Sequence, residues 1–223
     1  MPRETSGIVK KKMAAVRLCI AAIAVLCGGA QAVAQERDAA WRLAVELRVT
    51  LGDLARLERA DLPSAHAAGL EARIRGALGL LPWRLQQSGD QEGADSIEPW
   101  QGAALDAQAR DALVERLTDL AQRFPLDLME RAAITPPGAA LAEARAIDQS
   151  YCFGCHEDMG AGDPYEPLPA RDLFLLAQEE PADVFLARLS LGIKGDETIG
   201  FRLPVTDDQL LALFAYFRGA GGG

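Results

Sequence analysis

The sequence predicts an all-α fold, with an N-terminal helical bundle segment followed by a small helical domain. Apolar residues recur at the three- and four-residue spacing of helices over most of the 223-residue chain, and strand-like alternation is missing. A Pro/Gly break at residues 134–138 separates the helical patterns, because two consecutive prolines cannot lie inside a helix. We therefore predict a helical segment of unknown role over residues 35–137 and a second domain over residues 138–223.

The first 34 residues have the order of a secretory signal peptide. A basic start that includes Lys10–Lys12 and Arg17 precedes an apolar run of 13 residues, 18–30, and small residues suited to cleavage end at Ala34. The run is shorter than the roughly 20 apolar residues that a membrane span needs. We predict export to the periplasm, cleavage after Ala34 and no stable membrane span in the mature chain.

Cleavage at this point leaves an acidic protein. The mature chain would hold 18 basic and 31 acidic residues, a net charge of −13. This sign disfavours binding to nucleic acid, whose phosphates require a basic surface. It suits a partner protein with a basic docking surface, although the charge could serve solubility alone.

Three helices are predicted in the segment 35–137. The first is amphipathic, with apolar residues at Trp41, Ala44, Leu47, Leu51, Leu54 and Leu57. The second starts at Pro63 and Ser64 and has its apolar face at Leu70, Ile74, Ala77 and Leu78. The third has its apolar residues within 113–124 and ends at Pro125. Residues 86–103 are expected to form a loop, because glycine, serine and aspartate cluster there.

The second domain also has a helical pattern, interrupted by a Gly- and Pro-rich stretch at 160–169. Thr206 and Gln209 form a capping-box pattern, in which each side chain satisfies a backbone N–H group of the other residue. Helices are predicted at 139–151, 171–177, 181–191 and 206–218.

The segment Cys152-Phe153-Gly154-Cys155-His156 is the attachment signature of haem c. Two cysteines at this spacing can bond the vinyl-derived carbons of one porphyrin, and the adjacent histidine can supply a nitrogen ligand to the iron. We expect one covalent haem c, attached to Cys152 and Cys155, with His156 as the metal ligand.

Three other interpretations of the motif stay open. The cysteines could form a disulfide in an oxidising compartment, or a redox dithiol, which usually lies beside a βαβ pattern. A structural zinc site would need a fourth ligand, and the only other histidine in the chain is His66.

Residues 138–218 resemble a class I c-type cytochrome domain. In that family a helix precedes the haem motif, a Gly/Pro-rich loop follows, and a C-terminal helix with aromatic residues packs against the first helix. Tyr216 and Phe217 match the aromatic end of that last helix. The resemblance implies a small cytochrome c-like helical domain, in which the carbonyl of Pro167 or Pro169 accepts the hydrogen bond of the haem histidine. It does not extend to residues 36–133.

The sequence departs from the family at the sixth iron ligand. The family usually places a methionine in a Gly-x-x-Gly-x-x-Met-Pro pattern, whereas residues 192–204 offer Thr198 or Leu203, and neither is a good ligand for iron. Met159 lies too close to His156 along the chain to reach the opposite face. The open possibilities for the sixth position are water, no ligand, Lys194, His66 and Met129.

The sequence thus leads us to expect a periplasmic monohaem c-type cytochrome that carries single electrons to a partner with a basic docking surface. An open sixth iron position leads to an alternative, a haem-based sensor or a module that binds small ligands. The motif is accompanied by no recognisable constellation of acid and base residues, so we favour electron transfer over an enzymatic role.

Overall fold

The computed structural model describes residues 38–157, 162–191 and 203–220. Helices are the only regular structure in these ranges, so the predicted all-α class is confirmed. The predicted signal peptide lies outside the described residues, as do Met159, Lys194 and Thr198. None of the described helices is both long and apolar enough to cross a membrane.

The helices follow one another along the chain with short connections. In the first part they are α1 (residues 38–57), α2 (Ser64–Gln87), α3 (Gln91–Ile97), α4 (Ala107–Arg123) and α5 (Leu128–Ala132), with a 3₁₀ turn at Glu98–Trp100. In the second part they are α6 (Gly138–Ile147), α7 (Phe153–His156), α8 (Leu173–Glu179), α9 (Ala182–Leu191) and α10 (Asp207–Ala215). A π-helical turn extends α6 over Asp148–Cys152, and a second extends α10 over Tyr216–Ala220.

The described residues from Trp41 onward form one compact unit with two hydrophobic clusters, and α1 contributes to both. Leu47 and Leu54 of α1 pack in one cluster with α2, α3 and α4. Val45 and Val49 pack in the other cluster, whose largest share comes from α9 and α10. The second cluster therefore contains residues from both sides of the predicted domain boundary at 137/138, which itself stays a prediction.

Most of the predicted helices are found where the sequence places them. Helix α2 begins at Ser64, α4 ends before Pro125, and the capping box of Thr206 and Gln209 is complete at the start of α10. The expectation of a loop over 86–103 is wrong, because α2 continues to Gln87 and α3 follows at once. Two local features explain α3.

The first feature is a helix cap, and the second is apolar burial. Asp90 accepts a hydrogen bond from the backbone N–H of Gly93 at 2.8 Å, which satisfies a free donor at the start of α3. Ala94 and Ile97 are fully buried. A capped turn with two buried apolar residues is stable in spite of its glycine.

Helices α1 and α9 approach each other closely and share a buried ionic network. A Cβ atom added to Gly52 would lie 2.5 Å from Cγ1 of Val184, so the α1 backbone packs directly on α9. The next residue, Asp53, is 1% exposed, and its carboxylate is bound by Arg73 of α2 and by Arg188 of α9 at 2.9 Å. Burial by itself would raise the pKa of Asp53, but the charges of Arg188 and Arg73 and their hydrogen bonds lower it.

Replacement of this carboxylate is expected to destabilise the protein strongly. Asp53→Asn removes the countercharge of Arg73 and leaves Arg188 with Glu180 alone, and we expect the free energy of unfolding to fall by about 3 kcal/mol at pH 7. The native pKa lies below the unfolded value near 3.9, so the stabilisation is complete above that pH and is lost as the pH falls through the native pKa. Urea unfolding at pH 7 and pH 3 measures both effects.

The matched control is an acidic residue of the same unit in an exposed ion pair. Glu58 pairs with Arg110 at 2.7 Å, but its side chain is 58% exposed. Glu58→Gln should therefore cost less than about 1 kcal/mol. Equal losses for the two variants would contradict the role assigned to Asp53.

Candidate functional site

The cysteine motif lies at the end of one continuous helical stretch that begins with α6. Cys152 closes the π-helical turn after α6, and Cys155 and His156 belong to α7. The two cysteines are free thiols, so the structure contains no disulfide between them. Cys155 is exposed and Cys152 is partly buried. Both thiols are thus available for covalent chemistry on a short helical turn.

The imidazole of His156 is held by one strong contact. Its Nδ1 donates a hydrogen bond to the backbone carbonyl of Arg171 at 2.6 Å. In a neutral imidazole a proton on Nδ1 leaves the lone pair on Nε2, and none of the described residues hydrogen-bonds that atom. A carbonyl on Nδ1 fixes the orientation of the ring and raises the basicity of Nε2, as is usual for metal-ligating histidines.

The identity of the acceptor corrects the sequence-based expectation. The expected carbonyls of Pro167 and Pro169 do not bind His156, and that of Arg171 does. The carbonyl of Pro167 faces α2 instead, where a Cβ atom on Gly69 would lie 2.0 Å from the oxygen. The path of residues 162–172 thus brings Arg171 to the imidazole. Arg171 directly precedes Asp172, the N-cap of α8.

Large apolar side chains stay exposed around the motif. Tyr151 and Phe153 lie within or beside it, and Phe174 and Leu175 follow Arg171 by three and four residues. All four side chains are at least 43% exposed. Exposed apolar side chains grouped beside reactive residues are typical of a surface that a ligand or a partner covers.

The end of α10 closes against the helical stretch that leads into the motif. The hydroxyl of Tyr216 donates to Oδ2 of Asp148 at 3.3 Å, and Phe174 meets the rings of Tyr216 and Phe217 edge-on at 5.2 and 5.1 Å. Asp148 is buried, and burial raises its pKa, although the hydrogen bond from Tyr216 and the charge of His156 partly offset this rise. The C-terminal turn therefore holds the residues that precede Cys152.

The two described candidates for a sixth iron ligand are engaged elsewhere. His66 is 3% exposed, not at the surface, and its Nε2 donates to the carbonyl of Asp163 at 2.6 Å. Met129 packs against the apolar cluster of α9 and α10, as expected of a core methionine, and so does Leu203. Lys194 and Thr198 lie outside the described residues.

A zinc site finds no support in the described part of the chain. There, no group of three or more His, Cys, Asp or Glu side chains is placed to hold a metal ion. Structural zinc takes four ligands, and the described residues do not gather even three of these types around one point.

Sequence reasoning missed Asp148 and Arg171 as members of the site. Asp148 precedes Cys152 by four residues, which is one helical turn, so the spacing alone places it beside the motif. Arg171 contributes a backbone carbonyl, and its side-chain identity gives no signal for that contact.

Comparisons of the whole chain with family models, curated proteins and solved structures find no match. The chemistry of the site itself must therefore indicate the function.

The environment of the two cysteines predicts unequal reactivity in the haem-free protein. Burial, together with the charges of Asp148 and Cys155, raises the pKa of Cys152 to about 11. At pH 8 only about one Cys152 side chain in a thousand is then the reactive thiolate. We expect iodoacetamide to alkylate the exposed Cys155 roughly tenfold faster or more, as followed by mass spectrometry of peptides.

Urea-unfolded protein is the control, because both cysteines then have the same environment and should react at similar rates. Equal rates in the folded protein would show that Cys152 is not shielded as the structure indicates.

Proposed function

We propose that the protein is a monohaem c-type cytochrome that carries single electrons in the periplasm. One observation carries the proposal: two free thiols three residues apart precede a histidine whose Nδ1 is fixed by a backbone carbonyl and whose Nε2 has no hydrogen-bond partner among the described residues. This arrangement supplies the two attachment points and the iron ligand that a covalent haem requires.

The residues at the site fit haem c. Cys152 and Cys155 would hold the porphyrin, and His156 would bind the iron through Nε2. The exposed side chains of Phe153 and Phe174 would cover part of the apolar ring. When bound, the group supplies a one-electron iron couple. The chain supplies the attachment, the orientation of the imidazole and the apolar surroundings.

The packing of the last helix also supports the proposal. Helix α10 packs against α6, and its aromatic end, Tyr216 and Phe217, lies over Phe174 and Asp148. This pairing of a C-terminal aromatic helix with the helix before the motif is what the resemblance to class I c-type cytochromes implies. The resemblance and the geometry therefore favour the same class of protein.

The charge around the motif fits a basic redox partner. Residues 148–175 contain six acidic side chains and one basic side chain, that of Arg171. The guanidinium of Arg171 is buried and paired with Glu179 at 2.8 Å, outside this segment. Complementary charge of this kind speeds the encounter between electron-transfer partners.

Covalent attachment of haem is the first test. Expressed with residues 1–34 in a bacterium that matures c-type cytochromes, the protein should begin at Gln35 and gain the mass of one haem that acidic acetone does not extract. Cys152→Ala and Cys155→Ala should each remove one thioether bond, and the double variant should carry no covalent haem. The measurement is intact-protein mass spectrometry with the reduced pyridine haemochrome spectrum.

Substitution of the second histidine provides the matched control for the motif. His66→Gln should keep covalent haem, because His66 contacts the loop at Asp163 and not the thiols. Exported wild-type protein without covalent haem would refute the proposal.

A second function is possible because the described candidates for the sixth iron ligand make other contacts. His66 and Met129 are committed to other contacts, and residues 192–204 contain no methionine. We propose as the alternative an iron with an open sixth position, which would let the protein bind small ligands or act as a haem-based sensor.

Carbon monoxide binding distinguishes this alternative from a closed electron carrier. Under this alternative the reduced protein should be high-spin and form a CO adduct rapidly, because His66 is buried against Asp163 and Met129 packs in an apolar cluster. Lys194→Ala is the control, since Lys194 is the only lysine in residues 35–223. A low-spin wild type without a CO adduct would refute the open site, and a gain of CO binding in the variant would identify Lys194 as the ligand.

A further inference from the structure

The loop of residues 162–172 carries the carbonyl that holds His156. Three residues of the N-terminal part contact this loop or Glu179, which binds the side chain of Arg171. They are Arg59, His66 and Gly69, and we call these three residues the clamp. They come from the α1–α2 connection and the first turns of α2.

His66 binds the start of the loop. Its Nε2 donates to the carbonyl of Asp163 at 2.6 Å from a ring that is nearly inaccessible to solvent. The bond joins residues 97 positions apart, so it ties α2 directly to the loop. An apolar residue at this position would leave a partly buried carbonyl without its donor.

Gly69 lets the α2 backbone touch the middle of the loop. A Cβ atom at this position would lie 2.0 Å from the carbonyl oxygen of Pro167 and 2.4 Å from its carbon. Both atoms belong to the backbone, so no side-chain rotation can make room. Any larger residue must push the loop away from α2.

Arg59 acts at the end of the loop through a shared carboxylate. Its Nη1 lies 3.2 Å from Oε2 of Glu179, and the same oxygen binds Nη2 of Arg171 at 2.8 Å. The side chain of Arg171, whose carbonyl holds His156, is thus bound by Glu179. Arg59 of the N-terminal part binds the same carboxylate.

We infer that the clamp is a positioning element for the haem ligand, which fixes the loop so that the Arg171 carbonyl stays on Nδ1 of His156. The inference rests on the proposed function. It gives residues 35–137 a role, the support of the iron ligand. A firmly held acceptor makes the imidazole more basic and so favours ferric iron. Loosening the loop should shift the couple toward the ferrous form.

Two glycines of α2 provide a matched test. Gly69→Ala places its methyl group against the Pro167 backbone, whereas Gly79→Ala meets nothing within 4 Å, and both changes raise helix propensity equally. In Gly69→Ala we expect the ferrous-to-ferric ratio at a fixed potential to rise at least twofold, which is about 18 mV for one electron. Gly79→Ala should leave the potential unchanged.

Substitutions at His66 separate positioning from general destabilisation. His66→Gln keeps an N–H donor of similar reach and should retain the wild-type potential, whereas His66→Leu should shift it in the same direction as Gly69→Ala. Arg59→Met, a change at an exposed side chain, provides a third variant that should fold and show a smaller shift. Unchanged potentials in Gly69→Ala and His66→Leu, or an equal shift in Gly79→Ala, would overturn the inference.

Hydrogen–deuterium exchange measures how firmly the clamp holds the loop in the haem-free protein. Amides of residues 162–171 should exchange faster in haem-free Gly69→Ala and His66→Leu than in wild type, with α9 and α10 unchanged. Equal exchange would overturn the clamp even if haem attaches. Absence of haem from the wild type would refute the proposed function and leave this measurement standing.

Discussion

Helix α1 is buried on almost every side, and the other helices of the unit are arranged by the need to satisfy its polar groups. Arg48 donates to the carbonyls of Ala121 and Phe124 at 3.3 and 3.0 Å, at the end of α4, and lies 3.4 Å from Asp183 of α9. A cation at this position suits the free carbonyls that end a helix. Asp53, between arginines of α2 and α9, makes the second set of contacts. Since an unpaired buried charge costs several kcal/mol, these contacts restrict how α2, α4 and α9 can lie on α1.

This restriction reaches the Cys152–His156 motif through the residues that follow α1. The fixed α1 and α2 bring Arg59, His66 and Gly69 against the loop, and the loop brings its carbonyl to His156. The motif itself is held from the other side by the C-terminal turn, through Tyr216 and Asp148. The two cysteines and His156 thus lie on a short turn that is supported from two sides, and support of this kind keeps an imidazole in one orientation.

Features that depend on local sequence were predictable, and features that depend on the path of the chain were not. The capping box at Thr206 and the start of α2 follow from a few adjacent residues, and the structure has both. Short helix α3 was missed because its glycine argued for a loop, while burial of Ile97 outweighed that preference. The contact of His66 with Asp163 spans 97 positions, and no local pattern in the sequence predicts it. The acceptor of His156 is a backbone carbonyl, which every residue of the loop carries equally.

Under the proposed function, three separate features lower the reduction potential together. A carbonyl on Nδ1 makes the His156 ligand more basic, which stabilises the more positive ferric ion. The sequence lacks the loop methionine that would favour ferrous iron. The exposed acidic residues Glu157, Asp163 and Glu166 add negative charge in the segment that follows the motif, and the charge of Arg171 is paired with Glu179. Since all three act in the same direction, a carrier built this way is a better electron donor than one with methionine ligation. Under that function, an acidic surface that attracts a basic partner would also favour giving that partner the electron.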